Sequence, residues 1–178
     1  VSHFLEHMCF KGTEKRPNVS DISRELDSIG SVYNAFTGQE YTGYYAKADI
    51  RHKDFILDIV SDLYLHPTLP ESEMNKERGV IIQEINMYND LPQRHVQEIF
   101  SELLHGDQPA GWNIAGTKET VLAMSRKDVF DYRRKHYVAG KTVVVVAGDI
   151  DEKEIKEKVE NIFSKIPTGE KLGKLSVN

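Results

Sequence analysis

Apolar residues recur at spacings of three and four along most of the chain, and elsewhere they gather into short β-branched and aromatic runs. The first pattern is that of a helix with one buried face and the second that of a strand. Residues 3–10 (HFLEHMCF) predict a helix that stops at Lys11-Gly12-Thr13. Ile22, Leu26 and Ile29 predict a short amphipathic helix capped by Asn18 or Ser20, with Gly30 supplying a left-handed C-terminal position. Runs 31–37 and 41–48, separated by Gly38-Gln39-Glu40, predict a β-hairpin. Helices follow over 49–65, with Ile56, Ile59, Val60 and Leu63 on one face, over 71–89 behind Pro70, and from Pro92 to Gly106. After a loop at 107–116, Ser125 caps a helix to about residue 136. Residues 142–147 (TVVVVA) predict a buried strand and 151–164 a charged last helix, while 166–178 reads as a linker or fraying end. Helices outnumber strands, so the expected class is α+β, with helices packed on a mostly antiparallel sheet. Three strands make a thin sheet, and the chain opens Val1-Ser2-His3 without Met. The expectation is a domain over 1–165 whose first strands precede Val1.

Composition narrows the function. Of 178 residues 39% are hydrophobic and 29% charged, which suits one packed domain. The net charge is −5 and no apolar run approaches the roughly 18 residues of a membrane helix, so neither nucleic acid nor a membrane is an expected partner. A single cysteine, Cys9, excludes a disulfide framework and a thiolate zinc ribbon; it reads as a buried apolar thiol without a role. Any metal site must use histidine and carboxylate. The compartment stays open.

His3 and His7 stand four residues apart, so on a helix both imidazoles project from one face and can share a metal. Glu6 lies between them in the order H-x-x-E-H, placed to reach a water in the metal's open position. The alternative is a helix with two satisfied histidines. A catalytic zinc needs a third protein ligand, and the 71–89 helix offers Glu77 and Glu84, seven residues or two turns apart on one face. With Glu84 on the metal, Glu77 could accept a hydrogen bond from a ligating imidazole. Taken alone, such a pair is also what a solvated face carries. His52, His66, His95, His105 and His136 lack partners at ligand spacing, and Trp112 reads as packing under its loop.

Residues 3–13 (HFLEHMCFKGT), Asn34-Ala35-Phe36-Thr37, Glu40-Tyr41-Thr42, the Glu77-Arg78…Glu84 helix and Gly148-Asp149 together resemble the zinc-binding domain of the pitrilysin-type metallopeptidases. This is the inverzincin or M16 family, and the likeness runs over nearly the whole chain. The third ligand of that family is a Glu as far beyond the second His as Glu84 lies beyond His7, 77 residues. The resemblance implies one lobe of a clamshell enzyme, with Zn2+ held by His3, His7 and Glu84. It implies that Glu6 is the general base acting on a metal-bound water and that Glu77 supports a ligand by hydrogen bonding. It further implies that Asn34 and Ala35 lie on an edge strand that takes up an extended, unstructured peptide. A second homologous domain or partner subunit would close the site, supplying an Arg–Tyr pair that nothing in the chain matches. Family members also carry strands before the metal helix. A metal helix that opens two residues from a terminus frays, so weak zinc binding and an inert isolated fragment are expected. The alternative function is a non-catalytic structural or assembly subunit, which typically loses ligand residues. A hydrolase of another substrate using the same metal site is a third reading.

Overall fold

The periodicity of α1, Ser2–Cys9, explains why it sits at the centre of the protein. At about 100° per residue, Phe4, Leu5, Met8 and Cys9 occupy one arc and His3, Glu6 and His7 the remaining one. The apolar arc is buried and anchors a core completed by Ile22, Leu26, Ile59, Leu63, Met74 and Ile81. The polar arc is left facing α4. The computed structural model describes residues 1–169 and Gly173.

After α1 come α2 (Asp21–Ser28), a hairpin of β1 (Val32–Thr37) and β2 (Thr42–Lys47), and α3 (Lys53–Leu65). Then follow α4 (Glu71–Asn89), α5 (Pro92–His105), α6 (Lys118–Ala123), α7 (Arg126–His136) and α8 (Glu152–Phe163). α1 packs against α4, both strands and α7. The strands are antiparallel, with Thr37 opposite Thr42 and Asn34 opposite Tyr45. Their inner face carries Ala35, Thr37 and Tyr44 toward α1, while Phe36 and Tyr45 lie exposed on the outer face. The fold is helix-rich α+β, as expected. No helix among the described residues is long and apolar enough to cross a membrane.

The link from α1 to α2 is pinned by Gly12, whose φ of 121° is open to glycine. A Cβ there would lie 2.9 Å from the Pro17 carbonyl oxygen. Beyond it Thr13 bridges to Pro67, and Arg16, almost fully buried, gathers Glu25, Asp58 and Asp62 around its guanidinium.

Three expectations are corrected. Residues 142–147 do not form a buried strand: Val143 and Val145 are 85% and 80% exposed, Val144 and Val146 38% and 37%. The alternation is that of a strand, but a ladder requires a neighbouring strand, and the sheet among the described residues is the β1–β2 pair alone. The 49–65 helix is broken into a 3-10 turn, Ile50–His52, capped by Asp49, and α3. α6 was not anticipated; Thr117 starts it with a capping box to Thr120. Trp112 is 55% exposed rather than packed under its loop, with its indole N–H on Asp107. Most of 166–178 lies outside the described residues; within them, the Ala139 N–H donates to the Pro167 carbonyl.

Candidate metal centre

α4 supplies the wall opposite the polar arc of α1. Glu77, Ile81, Glu84 and Tyr88 stand three or four residues apart and so share one helical face. Ile81 is buried and fixes the depth of that face against the core. Two carboxylates and a phenol dilute the apolar stripe on the side a purely structural helix would keep greasy.

Across this gap one ligand-type atom from each of His3, His7 and Glu84 lies within 4.8 Å of the others. Glu84 Oε2 stands 3.5 Å from His3 Nε2 and 3.4 Å from His7 Nε2. Both separations exceed the roughly 2.7–3.2 Å of an N–H···O hydrogen bond. They match the edge of a tetrahedron whose centre lies about 2.05 Å from each vertex, about 3.3 Å, as zinc–imidazole and zinc–carboxylate bonds require. The His7 Nδ1 is 3.0 Å from Glu77 Oε2. A carboxylate only accepts, so Nδ1 carries the proton and Nε2 presents its lone pair toward Glu84 and His3. The His3 Nδ1 is buried without a hydrogen-bond partner. Donor type and spacing thus fit a zinc-sized cation.

Around this trio the charges are arranged in sequence. Lys11 Nζ stands 2.7 Å from Glu77 Oε1 and balances a carboxylate that is only 6% exposed. Burial pushes the Glu77 carboxyl up, but the hydrogen bonds from His7 and Lys11 and their charges outweigh it and hold it below the usual range. For His7, burial pulls downward and is outweighed by the Glu77 hydrogen bond and the charges of Glu84, Glu77 and Glu6, which leave it raised. His3 is lowered, chiefly by burial and then by His7, with Glu84 opposing. Glu6 is raised by burial, the Thr37 hydrogen bond and His7 opposing, and it accepts a hydrogen bond from the Thr37 hydroxyl at the end of β1. A carboxylate raised toward neutrality is suited to exchanging protons.

The other expected residues sit nearby on β1. Asn34 is exposed and its side-chain oxygen accepts from the Ala35 N–H, while Ala35 lies on the inner face. β1 pairs with β2 along one edge, and its other edge has no ladder partner among the described residues. Cys9 is fully buried against the Tyr44 hydroxyl and its thiol is pushed up to about 12, mainly by burial. Three residues of the site escaped the sequence reading: Lys11, Thr37 and Tyr88, whose hydroxyl donates to Glu84 Oε1 at 2.6 Å. Of these, Tyr88 alone carried a local signal, its spacing of four from Glu84 on α4.

Residues 1–118 match the family model described as Insulinase (Peptidase family M16), and residues 123–177 match the one described as Peptidase M16 inactive domain. The uncharacterized zinc protease YmxG of Bacillus subtilis (strain 168) is 39% identical over 163 residues, 92% of this chain and 39% of its own length. Mitochondrial-processing peptidase subunit beta of Caenorhabditis elegans is 34% identical over 174 residues, covering 96% of this chain and 37% of its own. Among solved structures, a protease from Helicobacter pylori superposes with a TM-score of 0.87 at 22% identity, covering 99% of this chain and 42% of that one. A putative M16-like peptidase from Alicyclobacillus acidocaldarius superposes at 0.81 with 28% identity, covering 96% and 39%. The chain spans about two fifths of the length of these relatives.

Proposed function

The chain belongs to the insulinase family, peptidase family M16, and from that premise we propose that it is the zinc-binding domain of a metalloendopeptidase acting on extended, unstructured peptides. The observation that carries the reading is the convergence of one atom each from His3, His7 and Glu84. The name of the Bacillus relative, a zinc protease, supports the choice of metal.

In this reading His3, His7 and Glu84 hold zinc. Once bound, the metal supplies a lowered pKa for a water, toward about 7, and polarisation of the scissile carbonyl. Glu6 takes the proton of the attacking water and delivers it to the leaving amine, the task for which its raised carboxyl is matched. Thr37 holds that carboxylate from the strand side, and Glu77 holds the imidazole of His7 in one tautomer. The substrate enters as a strand along β1 near Asn34 and Ala35, pairing by main chain, so selection by side chain is broad. Displacing the Asn34 side chain from the Ala35 N–H frees one donor for that pairing. A second homologous domain or a partner subunit closes the cleft over the peptide. His3, Glu6, His7, Glu77 and Glu84 are all present, which argues against a non-catalytic assembly role.

The test compares wild type with Glu6→Gln in the full-length protein that carries this domain, on an unstructured fluorogenic peptide. Peptide cleavage falls by roughly 10²–10⁴-fold while zinc content by elemental analysis is unchanged. Equal rates would overturn the assignment of Glu6 as base.

A further inference from the structure

Glu84 has two oxygens, and the fold treats them differently. Oε2 faces both imidazoles, whereas Oε1 accepts the Tyr88 hydroxyl at 2.6 Å, a short bond from one turn further along α4. The phenol is itself fixed, because the Arg94 guanidinium of α5 lies 4.5 Å above its ring, within cation–π range. Arg94, Tyr88 and Glu84 therefore form a chain running from α5 through α4 to the metal face.

We propose that Tyr88 is a positioning residue that makes Glu84 a one-oxygen ligand, by occupying Oε1 and turning Oε2 alone toward His3 and His7. The inference rests on the reading of Glu84 as a ligand. Its chemical consequence concerns coordination number: three donors from three residues leave one place of a tetrahedron for water or a carbonyl, whereas a two-oxygen Glu84 would fill that place. A free carboxylate beside a divalent ion can swing to either mode, so the protein must restrain it, and within reach of Oε1 the structure provides Tyr88. The role parallels that of Glu77, which restrains His7 from the same face of the same helix.

The experiment uses the full-length protein loaded with Co(II) in place of zinc, whose visible absorption is strong when four-coordinate and weak when five-coordinate. Wild type is expected to show the strong band and Tyr88→Phe, which keeps the ring under Arg94, a clearly weakened one. In chelator competition the same variant binds zinc about 10–100-fold more weakly, as partners behind a ligand typically do. Arg94→Met frees the ring without touching the metal face; it moves the spectrum the same way by less, and serves as the readout should the phenylalanine variant fail to fold. Unchanged spectrum and affinity in Tyr88→Phe would overturn the role of Tyr88. Failure of wild type to bind either metal stoichiometrically would instead overturn the reading of the site.

Discussion

Arg16 and Glu84 each stand at the centre of a half-sequestered cluster of charge, yet the two clusters are built to opposite ends. Around Arg16 every contact is a closed hydrogen bond: Nε to Glu25 at 2.8 Å, Nη1 to Asp62 at 2.7 Å and Nη2 to Asp58 at 2.6 Å. Asp62 Oδ2 also accepts the Thr13 hydroxyl at 2.6 Å, and Thr13 accepts the Arg16 backbone N–H in turn. Around Glu84 the inward contacts are 3.4 and 3.5 Å, too long for hydrogen bonds, and the short ones lie behind the donor atoms, at Tyr88 and at Glu77. A cluster that supports the fold spends its lone pairs on its own donors. One that serves a ligand keeps lone pairs unspent and braces them from behind.

The comparison breaks most visibly if Arg16 is removed. Arg16→Met removes the guanidinium from Asp62, only 7% exposed, and leaves His66 Nδ1 at 3.3 Å as its remaining basic neighbour; loss of one partner of a buried pair typically costs roughly 3–5 kcal/mol. Urea unfolding should show a loss of that order, while the variant, once folded, binds zinc with wild-type affinity. A loss below about 1 kcal/mol, the size of an exposed pair, would mean that the cluster is not structural.

Lys11→Met probes the other cluster from behind. Without Lys11, Glu77 Oε1 loses its donor and the carboxylate is free to turn away from His7 Nδ1, so the imidazole is no longer held in place. Zinc affinity should fall about 10–100-fold, with a smaller effect on unfolding than in Arg16→Met, and Lys11→Arg should recover most of it. Chelator competition reads the affinity. An unchanged value, or a stability loss as large as that of Arg16→Met, would erase the distinction between the clusters.

The same contrast explains what was legible in the sequence. The arc of His3, Glu6 and His7 on α1 and the two-turn spacing of Glu77 and Glu84 are local, so helix geometry puts each set on one face of its own helix, while the pairing of the two sets at one metal is what the family resemblance implies. Lys11 meets Glu77 across 66 positions and Thr37 meets Glu6 across 31, contacts that no periodicity announces. Tyr88 was local to Glu84 but looked like any exposed pair at a spacing of four. α6 has a single buried residue, Val121, too little for a pattern. The β-branched run 142–147 predicts a buried strand, but none forms there among the described residues, because both pairing and burial depend on a neighbour the local pattern does not contain. α5 shows the converse: a well-marked apolar stripe in which Val96, Phe100 and Leu103 are nonetheless exposed.

The smallest expected effect is a pH dependence confined to the rim of the Arg16 cluster. Burial raises the Asp58 carboxyl, but hydrogen bonds from Lys15 and Arg16 and their charges outweigh it, so in the folded chain it is lowered. The unfolded chain then takes up the Asp58 proton first as the solution is acidified, near the ordinary value of about 3.9. The stabilisation is therefore complete above that value and is lost as pH falls through the lower, folded one. Asp58 is 42% exposed and Lys15 59%, so solvent screening keeps its contribution below about 1 kcal/mol. Asp58→Asn should accordingly lower stability slightly at neutral pH and show a shallower loss than wild type between about pH 5 and pH 3, and added salt should narrow the difference. Parallel stability curves for the two proteins over that interval would overturn the contribution of Asp58 to acid sensitivity.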